Sequence, residues 1–335
     1  MADTTDHTGS TRIGSTGGSG LKSRLRRYRE LRLTEEELAT ALLAPVVLFL
    51  LAISFYPIVD TVWGSLHTGY VLETTPKEFV GLAHYQELIA DGNVWSLLTG
   101  GIFSNSFGNA LRVSLIYTFV SVPVELVIGL GMALLLNRAF RGKYFIQAAI
   151  LFPWALPTII NARIWAWMFN GQFGVINDML IRIGVLEAPF AFLAQPTAAL
   201  AAMTFVTIWK TSSFMALILL AGLSGIPDHL YEAARMDGAS RWRQFRDITL
   251  PLLKPTILVA LIFRTLPAFQ VFGLPYGLTN GGPAEATTTL VLFAQQLTFT
   301  NLEFGQGSAA ATLITLIALV ISLVYVGTLY EPEVR

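Results

Sequence analysis

The sequence contains no cysteine. Disulfides, thiol nucleophiles and cysteine-ligated zinc are therefore excluded. Four histidines, His7, His67, His84 and His229, are scattered without metal-ligand spacing, so no metal site is expected. Charge is also scarce. Only 13% of the 335 residues are Asp, Glu, Lys or Arg, against about 25% in soluble domains. The formal net charge is zero, so composition gives no case for binding nucleic acid. The run Gly17-Gly18-Ser19-Gly20-Leu21-Lys22-Ser23 lacks the Gly-Lys-Ser/Thr order of a phosphate loop, and no strand precedes it. The chain therefore supplies no ATPase of its own. No Ser/His, paired-Asp or His-Glu-x-x-His constellation lies in an apolar stretch, which argues against an enzyme and leaves no catalytic residue to name.

Apolar residues dominate instead. They make up 53% of the chain, and mean hydropathy is +0.59. Six segments reach the ~20 apolar residues that a bilayer crossing needs: about 38–66, 108–137, 145–169, 197–226, 255–278 and 307–330. Residues 1–37 read as a disordered, basic N-terminal tail, and 331–335 as a short C-terminal tail. The first apolar run is too long for a signal peptide and is read as a retained helix. Basic residues fall almost wholly on one side. That side holds Arg12, Lys22, Arg24, Arg26, Arg27, Arg29 and Arg32, then Arg138, Arg141 and Lys143. It also holds Arg235, Arg241, Arg243, Arg246, Lys254 and Arg335. The opposite connections hold Lys77 and Arg182 alone. The positive-inside rule places both termini and the 227–254 connection in the cytoplasm of a multi-pass cell-membrane protein.

Four basic residues remain within or at the ends of the apolar segments, Arg112, Arg163, Lys210 and Arg264, and Glu125 joins them in the second segment. A charge at mid-bilayer costs about 2.5–3.5 kcal/mol on insertion scales, so such groups face a bundle interior or water. Arg112 is near the outer end of its helix and can snorkel. Glu125 lies near Gly129 and Gly131, a close-packing pattern, and is expected either to partner a basic residue or to act in function. Lys210 has Thr207, Thr211, Ser212 and Ser213 around it. Arg264 is followed by Thr265, Pro267 and Gln270. Pro153 and Pro157 interrupt the third segment, and Pro267 and Pro275 the fifth. Broken helices are tolerated where they line a cavity or pack in protein.

The 227–254 connection is the most informative stretch. Asp228 is placed to cap a helix, with Leu230, Tyr231, Ala233 and Ala234 along one side and Glu232 and Arg235 pointing elsewhere. Gly238 suits the left-handed residue that ends it. A second short helix is expected over about 240–247, with Pro251 and Pro255 then breaking the chain. Glu232-Ala233-Ala234, Gly238, Ile248 and Leu250-Pro251 follow EAA-x3-G-x9-I-x-LP. This resembles the coupling loop of permease subunits in binding-protein-dependent ABC importers. The likeness covers about residues 38–330, including Tyr56-Pro57, Gly81-Leu82, Val206 to Thr211, and the T-x-GGP turn at Thr279 to Pro283. These last runs are similar to the sugar branch, the maltose/trehalose-type permeases. The sequence departs from many relatives at Gly273 and Leu274, where they carry an acidic residue.

The resemblance implies an all-α polytopic fold of six transmembrane helices with a cytoplasmic coupling helix-loop-helix. It implies contact with an ATPase through Glu232, Ala233, Ala234, Arg235, Asp237, Gly238, Leu250 and Pro251. It places substrate on Thr207, Lys210, Thr211, Phe214, Phe269 and Gln270, with Tyr276 beside them. Hydroxyl, amide and ammonium groups next to an aromatic face suit a sugar. The implied partners are a second homologous permease, two ATPase subunits that bind ATP and Mg, an extracytoplasmic solute-binding protein and membrane lipid. No cofactor is expected in this chain. Trehalose, maltose, a longer α-glucoside and glycerol phosphate all remain open as substrates. The alternative is an ion-coupled secondary transporter of a small polar solute. It predicts internal repeats and uptake without an ATPase, and no convincing repeat is found.

Overall fold

A computed structural model describes residues 35–68, 78–91, 106–138 and 140–329. The expected tails (apart from residues 35–37), and much of the first external connection, lie outside the described residues. Residues 35–37, assigned above to the tail, already belong to the first helix. The chain divides between Val59 and Asp60 into two units. In the first, α1 (Glu35–Leu50) widens into a π turn (Leu51–Phe55) and runs into α2 (Tyr56–Ser65). Its apolar side chains, Leu42, Val46, Phe49 and Ile53 among them, are exposed. That suits a helix whose surroundings are lipid or another span.

Among its described residues the regular secondary structure of the second unit is all helical, apart from one isolated bridge between His67 and Phe79. Its elements are α3 (Ala83–Asp91), α4 (Phe107–Leu136), α5 (Lys143–Ala155), α6 (Thr158–Met168) and α7 (Val175–Arg182). Then follow α8 (Pro196–Ser224), α9 (Asp228–Met236), α10 (Arg241–Gln244), α11 (Leu250–Phe269), α12 (Gly273–Leu278), α13 (Leu290–Gln295) and α14 (Phe304–Leu329). Among the described residues five helices are long and apolar enough to cross a membrane: Leu42–Ser65, Phe107–Leu136, Pro196–Ser224, Arg241–Phe269 and Phe304–Gly327. The pair α5 and α6 is apolar and long enough only together and is bent by 91° at its break, which gives a sixth span when the pair is read as one. All six expected segments are therefore helical.

The central packing is α4 against α8. Gly129 allows it, since a Cβ there would lie 2.8 Å from the Met215 side chain. Gly131, read above as part of the same pattern, has nothing within 4 Å. It faces away from the contact, because two residues along a helix is about 200° of rotation.

Two expectations about proline need correcting. Pro251 and Pro255 do not break the chain, and the fifth span does not begin at 255. Helix is continuous from Arg241 to Phe269. The wide π turn Phe245–Thr249 comes just before Pro251, which occupies the first turn of α11. A wide turn redistributes the hydrogen bonds that proline cannot donate, so the helix proceeds. Of the expected interruptions, breaks do fall at Pro157 and, after Pro267, at Gln270 to Phe272, whereas Pro153 and Pro275 lie inside helices.

Candidate functional site

The hook formed by residues 227–254 is built by local rules. Pro227, not Asp228, is the N-cap of α9, and no side chain caps it. Asp228 instead stands in the first turn, where its charge favours the helix dipole. At the other end Gly238 has φ +76°. The Ala239 amide donates to the Ala234 carbonyl at 2.8 Å, and the Gly238 amide to the Arg235 carbonyl at 3.1 Å. These two bonds form a Schellman motif, which needs a left-handed residue at that point. Ser240 then caps α10 by accepting from the Arg243 amide. Tyr231 and Thr249 hydroxyls meet at 2.9 Å and tie α9 to the π turn.

Leu230, Tyr231 and Ala234 are half-buried, whereas Ala233 is exposed and so is not on the packed side. Glu232, Arg235, Asp237 and Pro251 are exposed as well, and Leu250 is 40% exposed. Met236 and Trp242 stand out at 88% and 70% exposure. A cavity of about 970 Å³ separates the hook from the end of α4. Arg138, Asp228, Tyr231, Glu232, Arg235 and Arg241 line it.

In the membrane region the two broken spans meet. After its break the third span continues as α6, and after its own the fifth continues as α12, and these two pack together. Gly277 lies against Ala162 and Ile159, and Gly273 against Thr158. Helix α8 runs beside the first break. Lys210 is buried, and its Nζ donates to the carbonyls of Trp154 (3.1 Å) and Leu156 (2.8 Å). Phe214 stacks on Trp154 with centroids 5.4 Å apart. The Thr207 hydroxyl is bonded to that of Tyr117, and the Thr211 hydroxyl donates to the Thr207 carbonyl at 2.7 Å.

Of the remaining sugar candidates, Phe269 is completely enclosed, packed among Phe107, Leu290 and Phe293. Gln270 is exposed at the second break, and Tyr276 is 36% exposed and stacked on Phe272. A second cavity, about 590 Å³, lies between α6, α7 and α8. Its walls, including Trp165, Met168, Ile176, Met179 and Phe205, are apolar and offer a sugar no hydroxyl partner.

The ionisable residues of the membrane region are now placed. Glu125 and Arg264 form a bidentate pair, with Arg264 Nε 2.5 Å from Oε2 and Nη2 2.9 Å from Oε1. Both side chains are inaccessible, which satisfies the expectation of an internal partner for Glu125. Arg163 is exposed on α6. Arg112 is half-buried, and its Nη1 has no hydrogen-bond partner.

One feature escaped the reading of the residues. Thr287, Thr288 and Thr289, just after the T-x-GGP turn, are fully buried. Thr287 donates to the Gly282 carbonyl, Thr288 bonds the Gly281 carbonyl and the Glu285 carboxylate, and Thr289 donates to the Val271 carbonyl at 2.7 Å. The last bond satisfies an acceptor freed by the second break. Asn109 and Ser114 of α4 fasten the same turn through the Glu285 carbonyl and the Leu290 amide. A run of three threonines in an apolar region was the available signal. Thr118, Ser121 and Asn161 also bury side-chain groups without a protein partner.

The family described as the binding-protein-dependent transport system inner membrane component matches residues 125–335, which include the hook, α8 and both breaks in part or whole. The chain belongs to that family of ABC transporter permeases. The permease is 40% identical over 297 residues to the sulfoquinovosyl glycerol transport system permease of Agrobacterium fabrum, covering 89% of this chain and 92% of the relative. It is likewise 40% identical over 297 residues to the trehalose/maltose transport system permease of Thermococcus litoralis, covering 88% and 95%. Among solved structures it resembles a chain of a bacterial ABC transporter involved in the import of the polysaccharide alginate. That match has a TM-score of 0.71 at 23% identity, covering 93% of this chain and 99% of that one. The likeness shows that the fold is that of an ABC importer permease.

Proposed function

We propose that the permease carries a di- or oligosaccharide, of the trehalose or maltose kind, inward across the cytoplasmic membrane. One observation carries this reading. Two relatives at 40% identity over nearly the whole chain are permeases named for sugar transport. The geometry supports it. Gln270 and Tyr276 lie open at the second break and offer an amide and an aromatic face. Thr211, half-buried on α8, adds a hydroxyl. In this reading Thr207, Lys210, Phe214 and Phe269 stand behind those groups and hold them.

The force comes from outside the chain. Two ATPase subunits would bind ATP and Mg, and one would grip the hook over Glu232 to Gly238, with Met236 and Trp242 as apolar knobs. A second, similar permease completes the pathway, and an extracytoplasmic binding protein delivers the sugar. Both termini and the hook then face the cytoplasm, as the basic residues require. No bond is made or broken in this chain.

The test is uptake by the assembled transporter in proteoliposomes, with its binding protein outside and a panel of labelled sugars. Accumulation of a disaccharide that requires ATP on the hook side is the expected result. Uptake driven by a proton or sodium gradient without any ATPase would overturn the proposal, as would a binding protein that ignores every sugar.

A further inference from the structure

The third span turns through 91° between α5 and α6. Such a turn strands main-chain acceptors. Leu156 is extended (φ −69°, ψ 133°), so the last carbonyls of α5 have no helical donors ahead of them. Pro157 has no amide hydrogen to offer. In hydrocarbon an unsatisfied carbonyl costs several kcal/mol. Lys210 supplies it. Its ammonium, on the neighbouring helix α8, donates to Trp154 on one side of the turn and Leu156 at the turn itself.

The ring contacts of α8 are arranged around the same point. Phe214 stacks on Trp154 of the first arm. Phe205 and Trp209 meet Trp165 of the second arm edge-on, with centroids 5.6 and 5.2 Å away. Lys210 sits between these two sets of contacts along α8. Aromatic packing alone fixes neither the direction nor the size of the turn. Two charge-assisted bonds to carbonyls two residues apart do so, because both must be reached from one nitrogen.

We propose that Lys210 is a positioning residue: it sets the elbow of the third span through the Trp154 and Leu156 carbonyls, and it acts on transport through that elbow rather than as a ligand of the sugar. The inference rests on the transport reading only for its uptake arm. The elbow itself can be measured without any substrate.

The experiment uses the assembled transporter. The chain has no cysteine, so Phe152→Cys and Trp167→Cys introduce the only labelling sites on it. Both positions are exposed, one on each arm. Spin-label distances between them report the bend. Lys210→Met keeps the length of the side chain and removes every donor, and Lys210→Ala is a second donor-free variant. Lys210→Arg keeps charge and donors. In the donor-free variants the distance distribution broadens or shifts by several ångströms, and in Lys210→Arg it stays close to the original. Two lost charge-assisted bonds correspond to a fall in maximal uptake of about tenfold or more. The substrate concentration for half-maximal uptake changes less than about twofold, and Lys210→Arg recovers most of the rate.

An unchanged elbow distance in both donor-free variants overturns the proposal. So does a rise in half-maximal concentration that accounts for the whole defect, since that is how a sugar ligand behaves. If no sugar proves to be transported, the label distances still decide the role of Lys210, and only the uptake arm falls with the broader reading.

Discussion

Breaking the Glu125–Arg264 pair is the sharpest test of how the bundle holds together. Glu125→Gln removes one charge and leaves Arg264, which is 6% exposed, facing an amide. The carboxylate is wholly buried and bound at both oxygens. Desolvating each ion costs several kcal/mol, and mutual attraction offsets roughly that much, so the intact pair is worth little net. Removing one partner leaves the desolvation of the other uncompensated, at about 3–5 kcal/mol. At 1.4 kcal/mol per decade this lowers the folded-to-unfolded ratio by about 140- to 3,700-fold. Arg264→Met should cost a similar amount. Glu125→Leu with Arg264→Met removes both ions and should come within about 2 kcal/mol of the wild type. SDS-driven unfolding in mixed micelles measures all four corners of the cycle, and the coupling should exceed about 2 kcal/mol. Additive losses, or a single variant costing under about 1 kcal/mol, would refute the reasoning.

Three further outcomes follow from the same geometry. Gly238→Val has open space for its side chain, so its cost is purely the left-handed backbone, at least about 1–2 kcal/mol; insertion should be normal and ATP-driven uptake lost, whereas Gly238→Asn keeps most of it. Gly129→Leu drives a side chain into Met215, while Gly131→Leu meets nothing; thermal inactivation of the purified complex should be accelerated by the first change and not by the second. Thr289→Val strands the Val271 carbonyl and should destabilise by about 1–3 kcal/mol, whereas Thr315→Val, exposed on α14, should be close to neutral in the same assay.

The turn of the hook was legible because its geometry is local, whereas its N-cap, the packed side of α9 and the length of its second helix were not. A glycine two positions past the last α9 residue, and a serine before α10, specify caps without help from the rest of the chain. The six spans were legible because lipid imposes one length and one composition. Pairing was not. Glu125 had four basic residues to choose from, and the partner stands 139 positions away. The contacts of Lys210 were not legible either, because its acceptors are main-chain carbonyls, which exist at every residue and leave no mark on the sequence. Pro251 and Pro255 read as breaks because the π turn that accommodates them is set by packing, not by residue type.

That last correction changes how motion passes through the permease. The 29-residue helix from Arg241 to Phe269 is about 43 Å long at 1.5 Å per residue. It joins the hook directly to the second break, with Arg264 clamped to α4 one turn and a half before its end. Had the prolines interrupted it, force on the hook would be absorbed at Pro251. As built, the first non-helical joint on the hook side is the Gly238 turn, and the first on the far side is Gln270, beside the groups proposed to meet the sugar. A displacement of α10 is therefore delivered to that end of the span with little loss. The ion pair to α4, not a proline break, is the tie that such a displacement would have to strain or carry with it.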